Sequence, residues 1–147
     1  MDKTKLKTRL LEMTQADYDA ARQKFQSLAS EARISGGETV ERDQQSRAEA
    51  AGEMAAAWDE AMHDDEARLN RLTEIDFGPK NAVTDGAAVL VDDRLLVVSV
   101  STQEFDFDGQ RAMGISPAAP IYKAMQGLSE GDSFTFNGSD HQIRAIH

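Results

Sequence analysis

Phe25-Gln-Ser-Leu28-Ala-Ser-Glu-Ala32-Arg-Ile-Ser-Gly36-Gly37-Glu-Thr-Val-Glu-Arg-Asp-Gln-Gln-Ser-Arg-Ala48-Glu-Ala-Ala51 is the stretch whose reading decides the fold. Its diglycine separates two apolar series that share one period. Before it, Leu11, Tyr18, Ala21, Phe25, Leu28 and Ala32 recur at alternating threes and fours, with the polar Thr14 inside the series. After it, Ala48, Ala51, Ala55, Trp58, Met62, Asp65, Leu69 and Leu72 repeat the alternation. The mean step of about 3.5 residues is the period of a left-handed coiled coil. From Lys3 to Ile75 there is no proline, and glycine occurs only at Gly36, Gly37 and Gly52. The pattern therefore predicts an antiparallel coiled-coil hairpin over residues 1–77, with its tip near 35–43.

Folding the two series about Gly36-Gly37, so that facing residue numbers add to about 76, tests the reading for large-against-small packing. Leu28 then faces Ala48, Phe25 faces Ala51, Ala21 faces Ala55 and Tyr18 faces Trp58. Arms of about 30 residues at 1.5 Å per residue give a rod on the order of 45 Å, too thin for an enzyme core. Trp58 reads as a core residue because it falls on the heptad. Asp65 also falls on it, opposite Leu11. It is expected either to meet solvent where the seam splays or to pair with Lys7 or Arg9.

Outward from the helices the texture changes at Gly78-Pro79. Residues 78–147 hold seven of the ten glycines and all three prolines, which suits strands and turns. Strands are expected at Ala87–Val91 and Leu95–Val100 about Asp92-Asp93-Arg94, and at Phe134–Phe136 and Gln142–Ile146 about Asn137-Gly138. Ser116-Pro117 has the order of a helix cap followed by proline, so a short helix is expected from there to Gln126. The fold class is thus α+β, a helical hairpin followed by a small β-rich domain.

The run Ile115-Ser116-Pro117-Ala118-Ala119-Pro120-Ile121-Tyr122-Lys123-Ala124-Met125, then Gly127, Gly131-Asp132 and a closing strand at Ile143–Ile146, resembles the C-terminal signature of Gre-type transcription elongation (transcript-cleavage) factors. Glu74-Ile75-Asp76 resembles the place where those factors pass from finger to sheet. The resemblance implies an FKBP-like domain over 78–147 that docks at the secondary channel of RNA polymerase. It also implies a finger that enters the channel and modulates elongation. Pro120, Ile121, Lys123 and Met125 are then the candidate docking residues. The acids Glu38, Glu41 and Asp43 would act in the polymerase site, sharing its Mg2+ during cleavage of backtracked RNA. The protein would have no catalysis and no metal of its own.

The chain departs from the family at the tip. The usual Asp-Leu-x-Glu-Asn is absent, and Glu38-Thr39-Val40-Glu41 keeps only the acid spacing. Acids in the first turn of a helix also complement its dipole without any ligand, and Arg33, Arg42 and Arg47 lie close enough in sequence to neutralise them. A regulator that occupies the channel without stimulating cleavage, or a coiled-coil adaptor, is the alternative. A prolyl isomerase would need an aromatic-walled pocket, whereas Phe105, Phe107, Phe134 and Phe136 sit where a small sheet needs core.

Composition narrows the partners. The 147 residues carry a formal charge of −10, which disfavours a direct grip on nucleic acid phosphates or an anionic membrane. Without cysteine there is no disulfide or thiolate metal site. His63, His141 and His147 have no metal-ligand spacing. No apolar signal core follows the basic N-terminus, so a cytoplasmic monomer with a protein partner is expected.

Overall fold

The computed structural model describes residues 1–33 and 42–147. Their fold is α+β: two long helices, then a six-stranded mixed sheet with one short helix. The long helices are α1 (Lys3–Arg33) and α2 (Arg42–Glu74). Asp2 caps α1, its Oδ1 accepting the Lys5 N–H at 3.0 Å. The chain divides into two compact units, residues 13–69 and residues 1–12 with 70–147.

In the helical unit, the heptad positions are the ones withdrawn from water. Thr14, Ala21, Ala48, Ala51, Ala55 and Asp65 are buried, and Tyr18, Phe25, Leu28, Trp58, Met62 and Leu69 are half-buried. The register differs from the expected one. A Cβ built on Gly52 would lie 3.8 Å from Ala32 Cβ, and Asp17 pairs with Arg68 at 3.5 Å. Facing numbers therefore add to 84 and 85 rather than about 76, a slip of about two helical turns. Leu28, Phe25, Ala21 and Tyr18 accordingly do not face Ala48, Ala51, Ala55 and Trp58. A heptad seam repeats itself, so its period fits more than one register and does not select one of them.

Asp65 also differs from both expectations. It is buried, and its carboxylate accepts a hydrogen bond from Arg68, three residues along the same helix. Lys7 and Arg9 are engaged elsewhere, over the rings of Phe77 and Phe105 at 5.7 and 6.0 Å.

The sheet consists of β1 (Ala88–Val91), β2 (Arg94–Val98), β3 (Phe105–Phe107), β4 (Gln110–Ile115), β5 (Ser133–Phe136) and β6 (Ser139–Ile146), in the order β3-β4-β2-β1-β6-β5. Only β2 and β4 run parallel. Strand β1 and, after the exposed Arg94, strand β2 are continuously apolar because both of their faces are covered. One face buries Val89, Val91, Leu96, Val98, Ile115 and Ile143. The alternate residues Ala88, Leu95, Val97 and Ala112 are also buried, in the same unit as buried Leu6, Leu10, Leu72 and Ile75 of the helix ends.

No strand is expected from the patterns above between Val100 and Ser116, yet β3 and β4 form a hairpin there. Its signal is Asp108-Gly109, a two-residue turn with φ of 49° and 78°, flanked by Phe105, Phe107 and Ala112 on one face. Gly86, with φ 84°, marks a close approach: a Cβ there would lie 2.0 Å from the Asp76 carbonyl oxygen. Lys3 lies close by, its Nζ donating to the main-chain oxygens of Gly86 (2.7 Å), His147 (2.8 Å) and Gly78 (3.3 Å). Burial, and then the neighbouring Lys80 charge, pull the Lys3 pKa down to about 8. No helix among the described residues is long and apolar enough to cross a membrane.

Candidate functional site

The short helix is α3 (Pro120–Met125), and it starts three residues later than Ser116-Pro117 suggests. A residue before proline is driven out of the helical region, and Ala119, at φ −65° and ψ 138°, is extended for that reason. Pro120 therefore takes the first helical position. Ser116 does not cap α3: its Oγ accepts the Ala118 N–H at 3.1 Å and closes a separate turn. At the far end Gln126 leaves the helix and Gly127, with φ 77°, redirects the chain.

Six residues make less than two turns, so α3 has one buried stripe and one open one. Tyr122 and Met125, three apart, enter the sheet core. Met125 is 0% exposed, which makes it a core residue and not the docking residue expected from the sequence. Pro120 and Lys123 are exposed and Ile121 is half-buried, so these three form the surface that α3 presents.

Ile121 borders a groove of about 460 Å³. Val91, Leu96, Met113, Ile121 and Phe136 supply its apolar lining, and Asp92, Asp93, Arg94, Asn137, Ser139 and His141 its polar lining. The β1–β2 turn and the β5–β6 turn both contribute to it. They are tied together by Asp92, whose Oδ2 lies 2.8 Å from His141 Nδ1 and whose Oδ1 accepts the Gln142 N–H at 3.3 Å. The hydrogen bond from His141, then that from the Gln142 backbone, hold the Asp92 carboxyl below the usual range. The His141 ring is tilted against Phe134 at 5.4 Å. Asp92 and His141 are 49 residues apart, and nothing in the spacing of either marks the pairing. The partial signal is an aspartate in a two-residue turn, where its φ of 54° is tolerated.

Of the four phenylalanines weighed for an aromatic pocket, only Phe136 lines the groove, while Phe105, Phe107 and Phe134 are buried core. The pocket therefore lacks the aromatic walls on which an isomerase reading depends. Of the acids expected at the hairpin tip, Asp43 is exposed in the first turn of α2. Glu38 and Glu41 lie outside the described residues. No group of three or more His, Asp or Glu among the described residues is arranged to hold a metal ion.

These features define a class: an α+β protein of two long helices and a mixed sheet, with a surface helix beside an apolar groove. No family profile matches the chain, and no curated protein does. Among solved structures, the chain is similar to GreA factor homolog 1 of Thermus thermophilus in its crystal structure, at 18% identity and a TM-score of 0.35. The match spans 93% of this chain and 94% of that one.

Proposed function

We propose that this protein is a Gre-like factor that binds RNA polymerase through the α3 surface and modulates elongation. The observation that carries the reading is the coincidence of two facts on one segment. Ile115 to Met125 resembles the Gre signature in sequence, and its second half, Pro120–Met125, forms the surface helix beside the apolar groove described above. An exposed proline, a lysine and an apolar hollow within a few residues suit contact with a protein surface better than a small-molecule reaction.

Charge distribution supports a protein partner. Residues 13–69 carry 13 acids against 6 lysines and arginines, and the remainder 13 against 10, so seven of the ten excess negative charges belong to the helical unit. Such a unit is repelled by free RNA and DNA while its carboxylates remain suited to a metal ion held by a partner. Glu38, Glu41 and Asp43 would be the donors. Occupying the channel without stimulating cleavage is the second reading, favoured by the missing family tip pattern.

The test is retention of the full chain on core RNA polymerase. Pro120→Ala combined with Lys123→Glu is expected to abolish it while the circular dichroism spectrum stays that of the wild type. Undiminished retention by that variant would overturn the docking assignment. A stalled-complex assay with Glu38→Ala and Glu41→Ala separates the two readings, since equal transcript shortening by wild type and variant removes the tip acids from the mechanism.

A further inference from the structure

Strand β5 forms one edge of the sheet, and its outer side is open. Asn137 and Gly138, with φ of 51° and 75°, make the two-residue turn into β6. Such a turn makes its flanking residues, Phe136 and Ser139, a hydrogen-bonded pair. Bonded and non-bonded pairs alternate in an antiparallel ladder. Phe134 and His141 are therefore bonded, whereas Ser133 and Thr135 turn their N–H and C=O groups away from β6. The partner strand gives the same answer independently. Gln142, opposite Ser133, points its N–H to Asp92 Oδ1 and accepts the Asp92 N–H at 3.1 Å on its carbonyl, both on the side away from β5. Among the described residues, no backbone group from outside the hairpin bonds to Ser133 or Thr135.

The opposite edge is guarded and this one is not. Strand β3 is three residues long, and the neighbouring acids Glu104 and Asp106 bridge to Arg111 on β4. Short length and charge are the usual protections of a sheet edge. Ser133-Phe134-Thr135-Phe136 has neither charge nor proline. The two outward residues offer two donors and two acceptors, enough for an added strand to exchange four hydrogen bonds through residues two apart.

Side chains define what such a strand should carry. Residues set opposite Ser133 and Thr135 would share their face, where Asp140 accepts the Thr135 hydroxyl at 2.8 Å. The hairpin from 130 to 144 holds three acids, Glu130, Asp132 and Asp140, against one arginine, Arg144. Basic side chains complement the net negative charge that the hairpin carries around this edge. The residue between them would share the face of Phe134 and Phe136, where an apolar side chain fits. We propose that the β5 edge binds an extended segment of a partner protein, an apolar residue flanked by basic ones, as an added antiparallel strand. The inference is separate from the α3 docking reading and survives its failure.

The test uses the full chain, labelled with nitrogen-15, and a short fluorescent peptide alternating lysine and valine. Binding is expected to shift the amide resonances of Ser133 and Thr135 foremost. A peptide of the same sequence N-methylated at alternate residues, so that its bonding groups are blocked, should not bind. Thr135→Pro removes one outward N–H and no β5–β6 bond, and should abolish binding with the other amide resonances in place. Asp140→Lys should weaken it about fivefold, the scale of an exposed charge pair reversed. Equal affinity for the methylated peptide, or shifts that avoid β5, would overturn the proposal. Concentration-dependent dimerisation that Thr135→Pro abolishes would also overturn it, by showing that the edge takes a second copy of this chain.

Discussion

Arg68→Ala should strand a buried carboxylate in the helical seam. Asp65 is 7% exposed, and its carboxylate is bonded by Arg68, which also reaches Asp17 on α1 at 3.5 Å. Removing one member of a fully enclosed ion pair costs about 3–5 kcal/mol, because the charge left behind has lost its solvation and its partner. Arg68 is itself 29% exposed, so water will reach part of the vacated space and lower that figure. The Asp17 contact is exposed and contributes less than about 1 kcal/mol. A loss of about 2–3 kcal/mol is therefore expected, read as a lower urea midpoint with an unchanged slope when helical circular dichroism is followed. Asp65→Leu is the informative companion. It restores an apolar seam position and leaves Arg68 its contact with Asp17, so it should lie between no change and about 2 kcal/mol of added stability. Wild-type stability in Arg68→Ala together with a loss above about 1 kcal/mol in Asp65→Leu would refute the reasoning.

Met125→Ala should lower stability by about 3 kcal/mol, the usual result of emptying a fully buried methionine site, and thermal denaturation will show whether it does. Gly86→Ala should destabilise by more than about 2 kcal/mol, since the left-handed backbone and the Asp76 carbonyl both oppose a Cβ; an unchanged melting temperature would contradict that geometry. Lys3 should make stability rise with pH. Its folded pKa of about 8 lies below the ordinary lysine value of 10.5, so between those values the unfolded chain binds more protons and loses ground as they are removed. Urea midpoints measured from pH 8 to 10.5 should climb in the wild type and climb less in Lys3→Met.

The sequence disclosed some parts of this structure and concealed others for physical reasons. Helical period and the absence of proline made α1 and α2 legible, because burial along a seam leaves a repeat in the apolar residues. The register was hidden by that same repeat, because the period of the apolar residues fits more than one alignment of the two arms. Ala32 against Gly52 carries the correct alignment, yet small residues give weak cues. The β3–β4 hairpin was legible in Asp108-Gly109 between alternating apolar residues, and the short strands around it masked the signal. At α3, Ser116-Pro117 and Ala119-Pro120 are competing start signals, and the backbone restriction on Ala119 decides for the second. The groove was the least visible feature. Its walls come from two turns and a helix that meet only in three dimensions, and Asp92 and His141 have no sequence relation that announces their contact.

The most direct measurement of the central claim is site-specific crosslinking. A photoreactive amino acid in place of Ile121, at the groove beside α3, is irradiated with the protein bound to core RNA polymerase. The expected product is a crosslink to a polymerase subunit at the rim of the secondary channel, lost when Lys123→Glu is added. Efficient binding with no crosslink from position 121, or the same crosslink from a probe at an exposed position of β4 such as Arg111, would contradict the account.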